Sequence, residues 1–239
     1  MERPKEPDLI IRDACEKAGI ETNDKMLCDL YKYYELLVCW NEKINLTAIT
    51  EIRGVYVKHF ADSIFGSEMF DKGATVCDIG TGAGFPGLVL KIVRPDLKVI
   101  LIDSLDKRIK FLKLVIDELK LEGIEALHYR AEDKAFKEQY LNSIDFTTAR
   151  AVARMNTLIE YCLPYVKVGG KFVAYKSDKI DDELIEAKTA LKILGGESFE
   201  TKEYQLDKET KRYLVIAKKV SKTDKKYPRD MNKPKLKPL

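Results

Sequence analysis

Histidine is almost absent from this 239-residue chain, with two in all, and none of the five cysteines, at 15, 28, 39, 77 and 162, stands in a Cys-x-x-Cys spacing. A His/Cys metal site has no donor set to draw on, and none is expected. Cys15, Cys28, Cys39 and Cys77 lie in apolar-patterned segments and read as small core residues of a reducing compartment. No run of 18 apolar residues occurs, so no membrane-spanning helix is expected. The opening Met1-Glu-Arg-Pro-Lys5 has none of the apolar character of a secretory signal, and a cytoplasmic protein is expected. No segment repeats, and neither sign of charge dominates, the net being +3.

Apolar residues make up 45% of the chain, enough for a sizeable core. The charge is unevenly spread. Lys218 to Leu239 holds nine basic and two acidic residues, which leaves 33 basic and 37 acidic in the rest. A basic tail on a mildly acidic body points to an anionic partner, nucleic acid being the commonest. A solvated tail that only aids solubility has the same composition. Three of the eight prolines, 228, 234 and 238, fall in this tail, which predicts an extended segment without a packed core.

Three zones follow: a helical extension over 1–66, packed on a domain over 67–220, and the basic tail over 221–239. In the first, Leu27, Leu30, Tyr31, Tyr34, Leu37 and Val38 recur at steps of three and four, with Thr22-Asn-Asp24 offering caps before them. From about 74, β-rich runs alternate with amphipathic helices. Strands are predicted at 75–79, 98–102, 126–130, 144–149 and 171–175, with helices through about 93, over Leu112–Leu119, at 154–162 and near 179–194. Two closely spaced strands near 197–206 and 211–219 close the pattern as an antiparallel pair. The expected fold is α/β, a seven-stranded, mostly parallel sheet with helices on both faces, as in class I (Rossmann-like) methyltransferases.

Val76-Cys-Asp-Ile-Gly-Thr-Gly-Ala-Gly84 ends the first strand. Its glycines allow a sharp turn and leave the backbone open to a ligand, with the next helix starting near Phe85. Asp103, directly after the second strand, can accept from both ribose hydroxyls of an adenosine or cap the following helix, with Ser104 as an alternative cap. Gly82-x-Gly84-x-x-Gly87 also matches the dinucleotide fingerprint, so a nicotinamide oxidoreductase competes with an S-adenosylmethionine enzyme. The acidic Asp78 before the glycines, the closing strand pair and the lack of a second substrate domain favour S-adenosylmethionine.

Asp78-Ile-Gly-Thr-Gly-Ala-Gly-Phe-Pro-Gly87 resembles the signature loop of the bacterial RsmG (GidB) family. Trp40-Asn-Glu-Lys-Ile-Asn-Leu-Thr47, His59, Asp62-Ser63, Leu101-Ile-Asp-Ser104, Lys107-Arg108, Phe111-Leu112, Arg130-Ala-Glu132 and Ala149-Arg-Ala-Val-Ala153 resemble its further motifs in order. Lys226-Tyr-Pro-Arg229 with Pro234 and Pro238 is similar to the ending of its Gram-positive members. Lys176-Ser177 departs from the family's Lys-Gly, which puts the local loop path in doubt.

The resemblance implies an enzyme that methylates N7 of a guanine in the 530 loop of 16S ribosomal RNA, guanine 527 in the usual rRNA numbering. The partner is then 16S rRNA or a small-subunit particle, met by a monomer. It also implies that Gly80, Gly82 and Phe85 line the methionine and ribose side of the cofactor with Asp103, that Ala131 and Glu132 bracket the adenine, and that Arg150 lies where donor and base meet. Arg150 is the candidate for holding the base or its phosphate; a salt bridge supporting the fourth strand is its other reading. Asn45, His59, Arg108, Arg130, Lys225, Lys226 and Arg229 are the candidate RNA contacts, the tail ordering on RNA. Trp40 reads as packing the helices onto the sheet. Guanine N7 carries a free lone pair at neutral pH, so alignment suffices and no general base is needed. A non-catalytic RNA-binding module on the same fold is the third possibility.

Overall fold

A computed structural model describes residues 4–177, 180–207 and 210–239. The chain opens with α1 (Lys5–Lys17) and α2 (Asp24–Asn41). Asn23 caps α2, its side chain accepting from Met26 N at 2.9 Å. After an irregular stretch come α3 (Ile52–Val55), a π-helical turn (Tyr56–Ala61) and α4 (Asp62–Ile64). The alternating region then runs β1 (Thr75–Ile79), α5 (Gly87–Val93), β2 (Lys98–Asp103), α6 (Asp106–Glu118), β3 (Ile124–His128), α7 (Lys134–Tyr140), β4 (Ile144–Arg150), α8 (Met155–Cys162) and β5 (Val166–Lys176). It ends with α9 (Ile180–Ile193), β6 (Gly196–Gln205), β7 (Lys211–Lys219) and a last turn of helix, α10 (Lys233–Leu236). Residue 179 of the expected ninth helix lies outside the described residues.

The seven strands form one sheet in the order β3-β2-β1-β4-β5-β7-β6. β1 to β5 run parallel, and β7 lies antiparallel between β5 and β6. This is the class I methyltransferase arrangement, and the closing pair is the one the sequence predicts. The period of two sorts each strand's side chains between two cores. Val76, Val99, Leu101, Val173, Leu214 and Ile216 face a core shared with α1, α2, α5 and α6. Cys77, Ile79, Ile100, Ile102, Phe172 and Val215 face one shared with α7, α8 and α9.

β3 ends two residues before its predicted end. Arg130 N donates to Asp133 Oδ2 at 2.7 Å and Asp133 N to Arg130 O at 3.1 Å, closing a turn that a strand cannot continue through. Tyr129 to Glu132 become a loop at the strand's carboxyl end. The buried face of α2 is Met26, Leu27, Leu30, Tyr33 and Leu37. Cys28 and Cys39 fall off that face and are exposed, against the expectation that both are core residues, whereas Cys15, Cys77 and Cys162 are buried. Trp40 packs on Phe111 with ring centroids 5.8 Å apart, joining α2 to α6. Among the described residues no helix is long and apolar enough to cross a membrane.

The tail departs most from expectation. Tyr227, Pro228 and Pro234 are buried rather than extended in solvent. Glu160 on α8 is fully buried, and it accepts from Arg229 through the backbone N at 2.8 Å, Nε at 2.9 Å and Nη2 at 2.6 Å. A buried carboxylate requires such a partner. Arg229 is therefore a half-buried cation committed to Glu160. Lys219 is fully buried as well, and it donates from Nζ to Leu163 O at 2.7 Å. Lys225 and Lys226 remain exposed.

Candidate active site

The turn after β1 is held from below. Asp78, fully buried, accepts on Oδ2 from Thr81 Oγ at 2.6 Å and Gly87 N at 2.8 Å. Burial pushes its carboxyl up to about 6, and the two hydrogen bonds work against that rise. Asp78 thus braces the loop rather than facing a ligand. From the other side Tyr33 of α2 donates its hydroxyl to Ala83 O. A Cβ at Gly84, where φ is +106°, would lie 2.6 Å from that hydroxyl, so only glycine fits.

Above the loop lies a cavity of about 280 Å³ at the carboxyl ends of β1 to β4. Gly80, Asp103, Arg108, Arg130, Ala131 and Glu132 are in its wall, with Val152, Tyr161 and Asn232. A Cβ on Gly80 would come within 2.8 Å of Val152, so a side chain there would close the cavity. Asp103 accepts on Oδ2 from Gly82 N at 3.0 Å and Arg108 Nη1 at 3.1 Å, and on Oδ1 from Leu105 N at 2.9 Å. Leu105 is the N-cap of α6, which has no side-chain cap, so neither Asp103 nor Ser104 takes that role. A carboxylate has about four lone-pair sites, so one direction is left for a ligand hydroxyl. Arg108 Nε is buried without a hydrogen-bond partner.

A second cavity, of about 340 Å³, shares Ala151 with the first. Lys58, Arg150, Lys176 and Arg212 line it, with His59, Asp62 and Glu183. Ala151 takes φ +56°, a left-handed conformation rare for alanine, at the join. Arg150 Nη1 donates to Asp62 Oδ2 at 2.7 Å and to Lys58 O at 3.2 Å, and its guanidinium carbon sits 5.0 Å from the centre of the Phe85 ring. Asp62 is fixed in turn by the Tyr204 hydroxyl at 2.7 Å. Arg150 Nη2 lies 3.2 Å from His59 Nδ1, and His59 Nε2 lies 2.9 Å from Thr47 Oγ. Nδ1 also lies 3.1 Å from Lys58 O, so this nitrogen faces a donor and an acceptor at once. Burial and then Arg150 pull His59 down to about 4. It is neutral, stacked on Phe85 at 4.5 Å, and both its ring nitrogens are engaged.

A family model described as rRNA small subunit methyltransferase G, GidB, matches residues 26–214. The chain belongs to the GidB family. A ribosomal RNA small subunit methyltransferase G of Exiguobacterium sibiricum is 52% identical over 95% of this chain and 96% of that protein. One of Leuconostoc mesenteroides is 45% identical over 95% of this chain and 97% of that protein. Among solved structures, one described as a predicted O-methyltransferase of Agrobacterium tumefaciens matches with a TM-score of 0.55 at 17% identity, over 68% of this chain and 82% of that one, which is a likeness of fold.

Within this GidB chain the residues expected around the cofactor divide. Gly80, Asp103, Ala131 and Glu132 share the first cavity, and Gly82 reaches it through Asp103. Phe85 lies beneath Arg150 and His59, and Arg150 lines the second cavity. Arg108 and Arg130, expected at RNA, are in the wall of the first. His59 points to Thr47 and Arg150, and Asn45 is exposed on the loop after α2. The other asparagine of that motif shapes the loop, Asn41 Oδ1 accepting from Leu46 N and Thr47 N at 2.8 and 2.9 Å. Of the dinucleotide-like glycines, Gly84 and Gly87 pack against Tyr33 and Asp78. Sequence reasoning missed Tyr33, Tyr161, Asn232 and the role of Asp62. A lone acid among Val55, Tyr56, Phe60, Ala61 and Ile64 is a signal for a buried ion pair.

Proposed function

We propose that this chain is an S-adenosylmethionine-dependent methyltransferase of small-subunit ribosomal RNA, acting as a cytoplasmic monomer on N7 of a guanine in the 530 loop of 16S rRNA (guanine 527). The observation that carries the reading is the meeting of the two cavities at Ala151, one walled by the β1, β2 and β3 loops and one rimmed by cations, in a chain of the GidB family.

The first cavity suits S-adenosylmethionine on its own chemistry. It offers an orphaned buried Arg108 N–H, a glycine wall that tolerates no side chain, and a carboxylate with one free direction. Gly80, Asp103, Ala131 and Glu132 would hold the group, with Gly82 behind Asp103. Bound there, it supplies an electrophilic methyl group.

Lys58 and Arg212 hold the RNA backbone at the second cavity, where Lys176 is tied to Glu183 at 2.6 Å, and Arg150 fixes the base edge. No residue has to remove a proton, because guanine N7 presents its lone pair at neutral pH. A neutral His59 with both ring nitrogens engaged is consistent with that. The residues contribute alignment, which is worth several kcal/mol in effective concentration (roughly 7–11 at best). Asp62 and Glu183 are committed within the wall to Arg150 and Lys176, at 2.7 and 2.6 Å, and serve to fix those side chains.

The test is methyl transfer from labelled S-adenosylmethionine to 16S RNA and to small-subunit particles from cells lacking the enzyme. The product base is identified by mass spectrometry and mapped by reverse transcription. N7-methylguanine at one site in the 530 loop is expected. Intact cofactor binding with no incorporation into any RNA form overturns the substrate assignment.

A further inference from the structure

Asn232 stands in the wall of the first cavity although it comes from the basic tail. Three observations tie that tail to the cavity. Arg229 is locked to Glu160 by its backbone and its guanidinium. Five residues on, Pro234 is buried, and its carbonyl accepts from Thr157 Oγ at 3.2 Å, so both anchors sit on α8. Between the anchors, Met231 and Asn232 both take left-handed backbone, φ +57° and +58°. Asparagine visits that region readily and methionine does not. Met231 is 83% exposed, so no contact of its own side chain rewards the conformation. The path is imposed by its neighbours, and it brings Asn232 Oδ1 to accept from Arg130 Nη1 at 3.1 Å. Arg130 belongs to the loop after β3 that walls the same cavity.

We propose that residues 229–234 are a clasp that closes the cofactor cavity against the loop after β3, with Asn232 a specificity-determining residue for S-adenosylmethionine. This rests on the reading of that cavity as the cofactor site. Oδ1 of Asn232 is taken by Arg130, which leaves the Nδ2 N–H groups to meet an acceptor on the ligand. The kink lifts for exchange while Arg229 stays on Glu160. The tail is thus part of the cofactor site, not an arm that waits for RNA.

The test uses a chain ending at Asp230, which keeps the Arg229 anchor, and Asn232→Gly, which keeps the left-handed backbone and removes the amide. Dissociation constants for S-adenosylmethionine and S-adenosylhomocysteine come from calorimetry, and release rates from stopped-flow displacement. Asn232→Gly is expected to weaken both ligands about 2- to 10-fold, the range for one lost hydrogen bond. The shortened chain is expected to lose at least as much, chiefly as faster release, with the salt dependence of 16S RNA binding unchanged. Unchanged dissociation constants in both variants overturn the clasp. If the salt slope of the shortened chain also falls by about 2–3, the size expected for losing Lys233, Lys235 and Lys237, the segment is an RNA arm instead. Ultraviolet cross-linking of labelled S-adenosylmethionine to the intact chain separates the two layers of argument. Label in the peptides holding 129–132 or 151–152 supports the cavity as the cofactor site, and label elsewhere overturns that reading itself.

Discussion

Replacing Arg150 by methionine removes the cation that neutralises Asp62. The carboxylate side chain is 5% exposed and the guanidinium 13%, so the pair is nearly dry. Breaking a buried pair from one side costs about 3–5 kcal/mol, because the remaining charge has no counterion. Asp62 keeps the Tyr204 hydroxyl, so the lower end, about 3 kcal/mol, applies. For a chain of this size that lowers the Tm by roughly 6–12 °C. Asp62→Asn strands the guanidinium and costs a similar amount. The double variant strands neither, so the two losses fall short of adding by about 2 kcal/mol. Urea unfolding followed by the fluorescence of Trp40, the chain's one tryptophan, measures each corner of the cycle. Additivity within about 0.5 kcal/mol refutes the coupling. Methyl transfer then separates bracket from binding. If Arg150 holds the base, the double variant regains stability without activity; if activity returns with stability, Arg150 is only the bracket between β4 and the π-helical turn.

Ala151→Gly relieves a left-handed alanine and should stabilise the chain by about 1 kcal/mol, read as a higher urea midpoint. Tyr33→Phe strands the carbonyl of Ala83 and should cost about 1–2 kcal/mol, with a severalfold weaker hold on S-adenosylmethionine in calorimetry. Burial and Arg150 keep His59 neutral in the folded chain down to about pH 4, whereas an unfolded histidine takes its proton near 6.5. Its stabilising contribution is therefore complete above pH 6.5 and is lost as pH falls toward 4. The stability advantage of the native chain over His59→Asn should shrink by about 1–3 kcal/mol across that interval, and an advantage that grows would contradict the assignment.

The strands and the glycine turn were legible because their signals are local. Thr75 to Ile79 and Lys98 to Asp103 are short β-branched runs broken by glycine and proline, and the closing pair lies within a few residues of itself. The partners within the site were not legible, because each is made across the fold. Tyr33 meets Ala83 fifty residues away, and Arg150 meets Asp62 eighty-eight away. Composition misled in the tail, where lysines and prolines have the look of a solvated arm. The contrary signal sat elsewhere, in Glu160 among the buried Met155, Leu158, Ile159 and Cys162 of α8. An acid on an apolar helix face calls for a cation from somewhere, and only the fold says that Arg229 provides it.

That last pairing bears on the order in which the chain becomes itself. Glu160 leaves the ribosome 69 residues before Arg229. Until then the α8 side of the domain holds a carboxylate without its cation, so consolidation of that core waits on a residue made much later. A chain without Arg229 keeps every strand and every turn of the glycine loop, yet has a half-open layer for proteases to enter.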